Sequence, residues 1–236
     1  MAETDVIERA PTGIPGIDEI IEGGLPRGRV VLVTGKAGSG KTTFGIQFLY
    51  NGATKYGDNG IFVTLQEELS DVVSDMARYN WDLKNLSAKG KLRLVQSPVP
   101  FEIDEGELRI DAILDVIHRK ALEITAKRIV FDSIAQLGLP YTDIVALRRD
   151  IMRLASMLRE LGCTTILLSE MPSDDQKISR YGVEEFVTQG VIVLHFTPSY
   201  RAVQVAKMRG TKHDTNLHRM RITDKGLVVV PGETPF

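Results

Sequence analysis

Eight residues, Gly35-Lys36-Ala37-Gly38-Ser39-Gly40-Lys41-Thr42, carry the spacing G-x-x-x-x-G-K-T, and each residue type in it suits a polyphosphate. The glycines let the backbone curl so that successive N–H groups point inward, and a helix opening at Lys41 adds its positive end. Lys41 is a point charge for β- and γ-phosphates. The Thr42 hydroxyl is a hard oxygen ligand of the kind Mg²⁺ prefers. A glycine-rich turn with a chance Lys-Thr is the alternative, but an apolar strand pattern, Val30 to Val33, runs directly into the motif and a helical pattern leaves it.

A metal carried on phosphates needs a carboxylate at the end of a neighbouring apolar strand, and Ile129-Val130-Phe131-Asp132 provides one. Asp132 joins Thr42 as the candidate metal ligand. An Asp there could equally cap a helix or form a turn, and the pairing with the phosphate loop is what favours chemistry. Hydrolysis also requires a group to polarise water, expected off the strand that follows the loop's helix. Ile61 to Leu65 is that strand, with Gln66, Glu67 and Glu68 after it. Strand periodicity sends Gln66 and Glu67 to opposite sides, so that one of them faces the nucleotide. Glu68 reads as the start of the next helix, where a carboxylate favours the dipole.

These residues need a frame. Val30 to Val33, Ile61 to Leu65, Leu92 to Val95, Arg128 to Phe131 and Thr164 to Leu168 are short and almost continuously apolar, as parallel strands covered on both faces are. Between them lie helical patterns, the clearest over Asp143 to Leu161, with Ile144, Leu147, Ile151, Leu154, Leu158 and Leu161 in one stripe and Gly162 as a stop. A second helix is expected near Leu108 to Glu123. After about residue 190 the rhythm changes to Val191 to Phe196, Ala202 to Lys207, Met220 to Thr223 and Leu227 to Val230, separated by short turns. The predicted fold class is α/β: a mostly parallel sheet flanked by helices, with a C-terminal antiparallel β extension.

Composition narrows the function classes. At 43% hydrophobic and 25% charged, the 236 residues fit an ordinary globular chain, which excludes disorder and coiled coil. Twenty-nine Lys and Arg against 31 Asp and Glu leave no basic field to advertise nucleic acid or anionic membrane. Cys163 stands alone, so no internal disulfide forms. No apolar run approaches bilayer length, and a soluble, cytoplasmic protein of one domain, 1–236, is expected.

At the level of whole motifs the chain resembles the KaiC family within the RecA-like P-loop NTPases. The match rests on Thr12-Gly13-Ile14-Pro15-Gly16-Ile17-Asp18, Gly23-Gly24-Leu25-Pro26, the phosphate loop with Gln47-Phe48-Leu49-Tyr50-Asn51-Gly52, and Phe62-Val63-Thr64. It continues through Trp81-Asp82-Leu83, Asp132-Ser133, Arg180-Tyr181-Gly182-Val183-Glu184-Glu185-Phe186 and Lys207-Met208-Arg209-Gly210-Thr211. The resemblance implies ATP and Mg²⁺ bound between the subunits of a homo-oligomer, commonly a hexameric ring. One subunit would supply Gly38, Ser39, Gly40, Lys41, Thr42, Thr43 and Arg78. Its neighbour would supply Lys207, Met208, Arg209, Thr211, His213, Thr223 and Asp224, with Lys207 and Arg209 acting as arginine-finger-type cations. Without the resemblance, Lys207, Arg209 and Lys212 read as charges that protect a sheet edge.

Three departures bear on activity. Where the family carries two glutamates after the strand, this chain has Gln66 and Glu67. An amide orients water but takes no proton, so slow hydrolysis is expected unless Glu67 substitutes. Glu185-Phe186 stands where the family's clock members have a phosphorylated Ser-Thr pair, so no clock-type autokinase is expected. Those members also have two copies of the domain. The leading expectation is a slowly hydrolysing, nucleotide-dependent oligomeric switch. The alternatives are a RadA-like DNA recombination ATPase and a non-hydrolysing ATP-binding scaffold. The candidate DNA loop, Met171 to Arg180, carries Ser173-Asp174-Asp175 against Lys177 and Arg180 and is poor in stacking aromatics. Lys41→Ala is expected to abolish nucleotide affinity, and unchanged heats in a calorimetric titration would refute that.

Overall fold

Alternate residues of the central strands bury into two different cores. Val31 and Val33 enter one hydrophobic cluster and Val30 and Leu32 the other; Ile166 and Leu168 divide from Leu167 in the same way. Continuous apolar runs therefore mark strands sealed on both faces, as the sequence pattern predicts. The computed structural model describes residues 7–96, 103–104, 107–108, 110–138, 141–172 and 177–235.

In chain order, β1 (Arg9–Ala10), α1 (Ile17–Ile20) and β2 (Leu25–Pro26) form the entry, followed by β3 (Val30–Gly35) and α2 (Lys41–Asn51). A π-helical turn, Gly52–Tyr56, leads to β4 (Gly60–Thr64), α3 (Leu69–Ala77), α4 (Leu83–Ala88) and β5 (Leu92–Gln96). The short pair β6 (Ile103–Asp104) and β7 (Glu107–Leu108) precedes α5 (Ile110–Ile124), β8 (Arg128–Asp132) and a 3-10 turn at Ile134–Gly138. Next come α6 (Ile144–Glu160), β9 (Thr164–Glu170) and α7 (Glu184–Val187). The chain closes with β10 (Gly190–Phe196), β11 (Arg201–Met208), β12 (His218–Thr223) and β13 (Gly226–Val230).

One nine-stranded sheet runs β13-β12-β11-β10-β3-β9-β8-β4-β5. From β10 to β5 every neighbour is parallel, while β10 to β13 pair antiparallel. The first C-terminal run therefore differs from its sequence reading. Gly190–Phe196 lies parallel to β3 and antiparallel to β11, so the parallel core has six strands and the extension begins one strand later than expected. Among the described residues no helix is long and apolar enough to cross a membrane.

The two predicted helices form with shifted ends. Asp143 caps α6, its carboxylate accepting from Val145 N at 2.8 Å, and Gly162 follows the helix at a φ of 68°. Leu147, Ile151, Leu154 and Leu158 are buried, whereas Ile144 is 48% exposed, so the first turn projects beyond the core. Leu108 belongs to β7, and α5 begins at Ile110. Cys163 is buried and its Sγ donates to Ala126 O at 3.2 Å; burial pushes the thiol up to about 11, which leaves it chemically quiet.

The site's frame depends on one buried ion pair that the sequence pattern does not announce. Arg128, the first residue of β8, is fully buried and its guanidinium lies 4.4 Å over the Phe48 ring. Its Nε and Nη2 donate to Asp58 Oδ2 at 3.0 and 2.7 Å, and Nη1 donates to Phe48 O at 2.9 Å. A Cβ at Gly52 would come within 2.6 Å of the Arg128 side chain, so glycine is what lets the end of α2 pass over it. Removing one partner leaves an uncompensated buried charge. Asp58→Ala is expected to destabilise the protein by about 3–5 kcal/mol, read from the shift of its urea unfolding midpoint.

Candidate functional site

In a sheet covered on both faces, the open polar positions are the strand ends, and one cavity of about 470 Å³ lies across the C-terminal ends of β3, β4, β8 and β9. The loop between β3 and α2 forms its floor. Gly38 and Gly40 adopt φ of 76° and 102°, conformations that disfavour side chains, and Gly40 caps α2 without any side-chain bond to the helix N–H groups. A helix N-terminus left uncapped in this way suits an anion.

Gly38, Gly40, Lys41, Thr42, Thr43, Arg78 and Asp132 all line the cavity. Lys41 Nζ donates to Gly35 O at 3.0 Å and Lys36 O at 3.1 Å, and burial lowers its pKa against the fields of Glu170, Asp132 and Glu67. Thr42 Oγ1 donates to Asp132 Oδ2 at 2.7 Å, which brings the two candidate metal ligands together. Burial pushes Asp132 up to about 6, opposed by the Thr42 hydrogen bond. These are all hard oxygen donors. They fit Mg²⁺ arriving on phosphates better than a metal held by the protein alone.

Ser39, a nucleotide contact by the resemblance, has its side chain packed inward. It is fully buried, its N donates to Lys36 O at 3.2 Å, and its side chain packs against the Cα of Gly35, where a Cβ would approach within 2.6 Å. It braces the loop.

Gln66 and Glu67 both border the cavity, against the expectation that one would face away. Strand β4 ends at Thr64, so period-two geometry no longer applies. The Thr64 hydroxyl accepts from Glu67 N at 3.0 Å and donates to Glu67 O at 3.1 Å, folding the turn back on itself. Gln66 is engaged sideways, its Oε1 accepting from Gln136 Nε2 at 2.6 Å. Glu67 has its pKa raised, first by partial desolvation and then by Asp75 and Asp71, with Lys41 opposing. Glu68 precedes α3 as its cap residue, as read from the sequence.

The residues assigned to a neighbouring subunit do not line this chain's own cavity. Lys207 Nζ donates to Glu185 O and Thr188 O, both at 2.7 Å, and burial with the Arg209 charge lowers its pKa. Met208 is buried against Gly190, and its carbonyl accepts from Thr211 N at 3.2 Å. Arg209 is exposed, Thr211 Oγ1 accepts from Arg9 Nη1 at 2.6 Å, and His213 Nδ1 lies 3.1 Å from Thr211 O. Thr223 Oγ1 donates to Gly226 O at 2.9 Å, closing the hairpin turn in which Asp224 stands exposed. Of the candidate DNA loop, residues 173–176 lie outside the described residues.

Sequence reasoning missed Glu170, Asp75 and Gln136. Glu170 ends β9 as Asp132 ends β8, so the strand-end rule that found one carboxylate could have found the other.

Comparison with known proteins adds a family. The model for the KaiC ATPase matches residues 10–234. The chain is 35% identical over 238 residues to the circadian clock oscillator protein KaiC of Parathermosynechococcus lividus, a match covering 98% of this chain and 44% of that protein. It is 40% identical over 237 residues to the circadian clock protein KaiC3 of Synechocystis sp., covering 97% and 47%. The chain thus spans less than half the length of these relatives. Among solved structures it is similar to a KaiC-like protein from the hyperthermophilic archaeon Pyrococcus horikoshii OT3, with a TM-score of 0.86, 40% identity, and 96% and 100% of the two chains covered.

The sign of the Asp132 shift makes a stability prediction. Its folded pKa of about 6 lies above the ordinary 3.8, so the folded chain holds this proton more tightly and gains stability as pH falls from about 6 towards 4. Near neutral pH the charged form is a cost of about 3 kcal/mol. Asp132→Asn should therefore raise the unfolding midpoint of the nucleotide-free protein at about pH 7.5, by an amount that shrinks below pH 6, while removing Mg²⁺-dependent nucleotide affinity. Thermal melts across pH, paired with titrations, measure both.

Proposed function

The chain belongs to the KaiC family of ATPases, and from that premise we propose that it binds Mg-ATP in the strand-end cavity and hydrolyses it slowly, as an oligomeric, nucleotide-dependent switch of the cytoplasm. The observation that carries the reading is the Thr42–Asp132 hydrogen bond beside Lys41, which brings the candidate phosphate and metal ligands together. Lys41 and the N–H groups of the loop bind the β- and γ-phosphates. Thr42 Oγ1 and the Asp132 carboxylate would hold Mg²⁺, which neutralises charge on those phosphates when bound.

Glu67 is the water-activating residue in this reading. Its carboxylate borders the cavity, and desolvation raises its pKa and so makes it a better proton acceptor, whereas Gln66 is bonded to Gln136 and serves as a wall. The amide at the first position of the pair would then limit the rate without abolishing it.

Lys207, Arg209 and His213, outside this chain's own cavity, are read as reaching that of a neighbouring copy. Phe186, 73% exposed and set in the turn whose carbonyls Lys207 holds, gives the same face an apolar anchor. A ring, hexameric in this reading, places one cavity at each subunit boundary.

Phosphate release tests the assignments together. Glu67→Gln is expected to cut turnover by about a hundredfold or more with ATP binding retained, and Gln66→Ala by much less. Specific activity should fall on dilution as subunits separate. Turnover that survives Glu67→Gln removes Glu67 from the reaction, and activity independent of protein concentration removes the shared site.

A further inference from the structure

Glu170 is a cavity carboxylate to which the proposed reaction gives no part. In the β3–β9 register it lies opposite Gly35, the first residue of the phosphate loop, and it lines the same cavity as Lys41, Thr42 and Asp132. Met171 N, the next donor along the chain, bonds to Gly35 O at 3.1 Å, which pins that end of β9 to the loop. Among the negative charges around Lys41, Glu170 acts on it most strongly, and it also opposes ionisation of Asp132. The carboxylate thus stands beside the loop's lysine and the candidate metal ligand, where a terminal phosphate would lie.

On its other side Glu170 meets Arg180, whose Nη1 is 3.9 Å from Glu170 Oε2. Arg180 is presented by a well-fixed turn. The fully buried Glu184 carboxylate accepts from Tyr181 N at 3.2 Å, Val183 N at 3.1 Å and the Ser169 hydroxyl at 3.2 Å. Tyr181 also donates its hydroxyl to Ala135 O, and its own carbonyl accepts from Arg148. Ser169 is the strand neighbour of Glu170, so the two ends of the Glu170–Arg180 pair are tied to one buried acid.

A triphosphate adds negative charge to the cavity at the Asp132 and Glu170 end, and a diphosphate does not. Once phosphate oxygens engage Lys41, Arg180 is the cation left beside Glu170. We propose that Glu170 and Arg180 together set the preference of this site for nucleoside triphosphate over diphosphate, Glu170 repelling the terminal phosphate and Arg180 offsetting that repulsion. The inference rests on the ATP-binding reading and adds to it a pair of specificity-determining residues. It also gives the 177–183 turn a role: displacing Arg180 would shift the site towards diphosphate.

Calorimetry with Mg²⁺ and either a non-hydrolysable ATP analogue or ADP tests this through the ratio of the two affinities. E170Q should raise the triphosphate-to-diphosphate ratio about tenfold at low salt, and less at high salt. R180Q should lower the ratio severalfold, and in the E170Q background it should have no further effect. Both side chains are near half exposed, at 42% and 49%, so the variants should fold, and melting curves check this. An unchanged ratio in E170Q overturns the inference while leaving ATP binding intact. A full R180Q effect in the E170Q background also overturns it, because Arg180 would then act on phosphate directly. A wild-type protein that binds neither nucleotide sinks the ATP-binding reading itself.

Discussion

A single short hydrogen bond, from the Thr42 hydroxyl to the Asp132 carboxylate, joins the start of α2 to the end of β8 across the mouth of the sheet. It depends on everything behind it. The strands on either side are sealed above and below by two cores, so ionisable groups at this end of the sheet have only the strand ends from which to reach solvent or ligand. Burying and crowding them there is electrostatically costly: desolvation first, then Glu67 and Glu170, raise the pKa of Asp132. The same crowding gives the cavity its chemistry, since a metal and a lysine relieve the strain that the carboxylates create.

Several motifs behind the family resemblance work away from the chemistry. Asp18 accepts from Thr12 N, Thr12 Oγ1 and Gly13 N, closing the entry loop. Gln47 holds Leu227 by both its main-chain N and O, tying α2 to the last strand of the extension. Glu184 organises the turn after β9. Each is a buried or partly buried polar side chain with its partners supplied, and each fixes how one part of the frame meets another. The resemblance is therefore spread along the chain because the frame is.

Cations divide between two places. Lys41 and Arg78 line the cavity, while Lys207 and Arg209 stand beside the exposed Phe186 away from it. Lys207 spends its donors on the carbonyls of Glu185 and Thr188, so a polyphosphate that drew it away would also loosen α7. A lysine held in this way links its own turn to whatever it touches next.

Local pattern carried most of the fold. Five parallel strands, the α6 stripe and the phosphate loop are legible because each depends on residues near in sequence: continuous apolar runs, 3.6-residue spacing, glycines at positive φ. The lysine, threonine and Asp132 were readable for the same reason, being strand-end or loop residues of recognisable type. Long-range pairing was not. That Gly190–Phe196 lies parallel to β3, that Arg128 starts a strand yet is wholly buried on Asp58, and that Ser39 braces the loop are set by partners distant in sequence or by close packing. That Gln66 and Glu67 both border the cavity follows from where β4 stops, and the partner of Gln66 is Gln136, 70 residues away. Residue types fixed which groups could meet phosphate; only the folded sheet decided which of them stand at its open end.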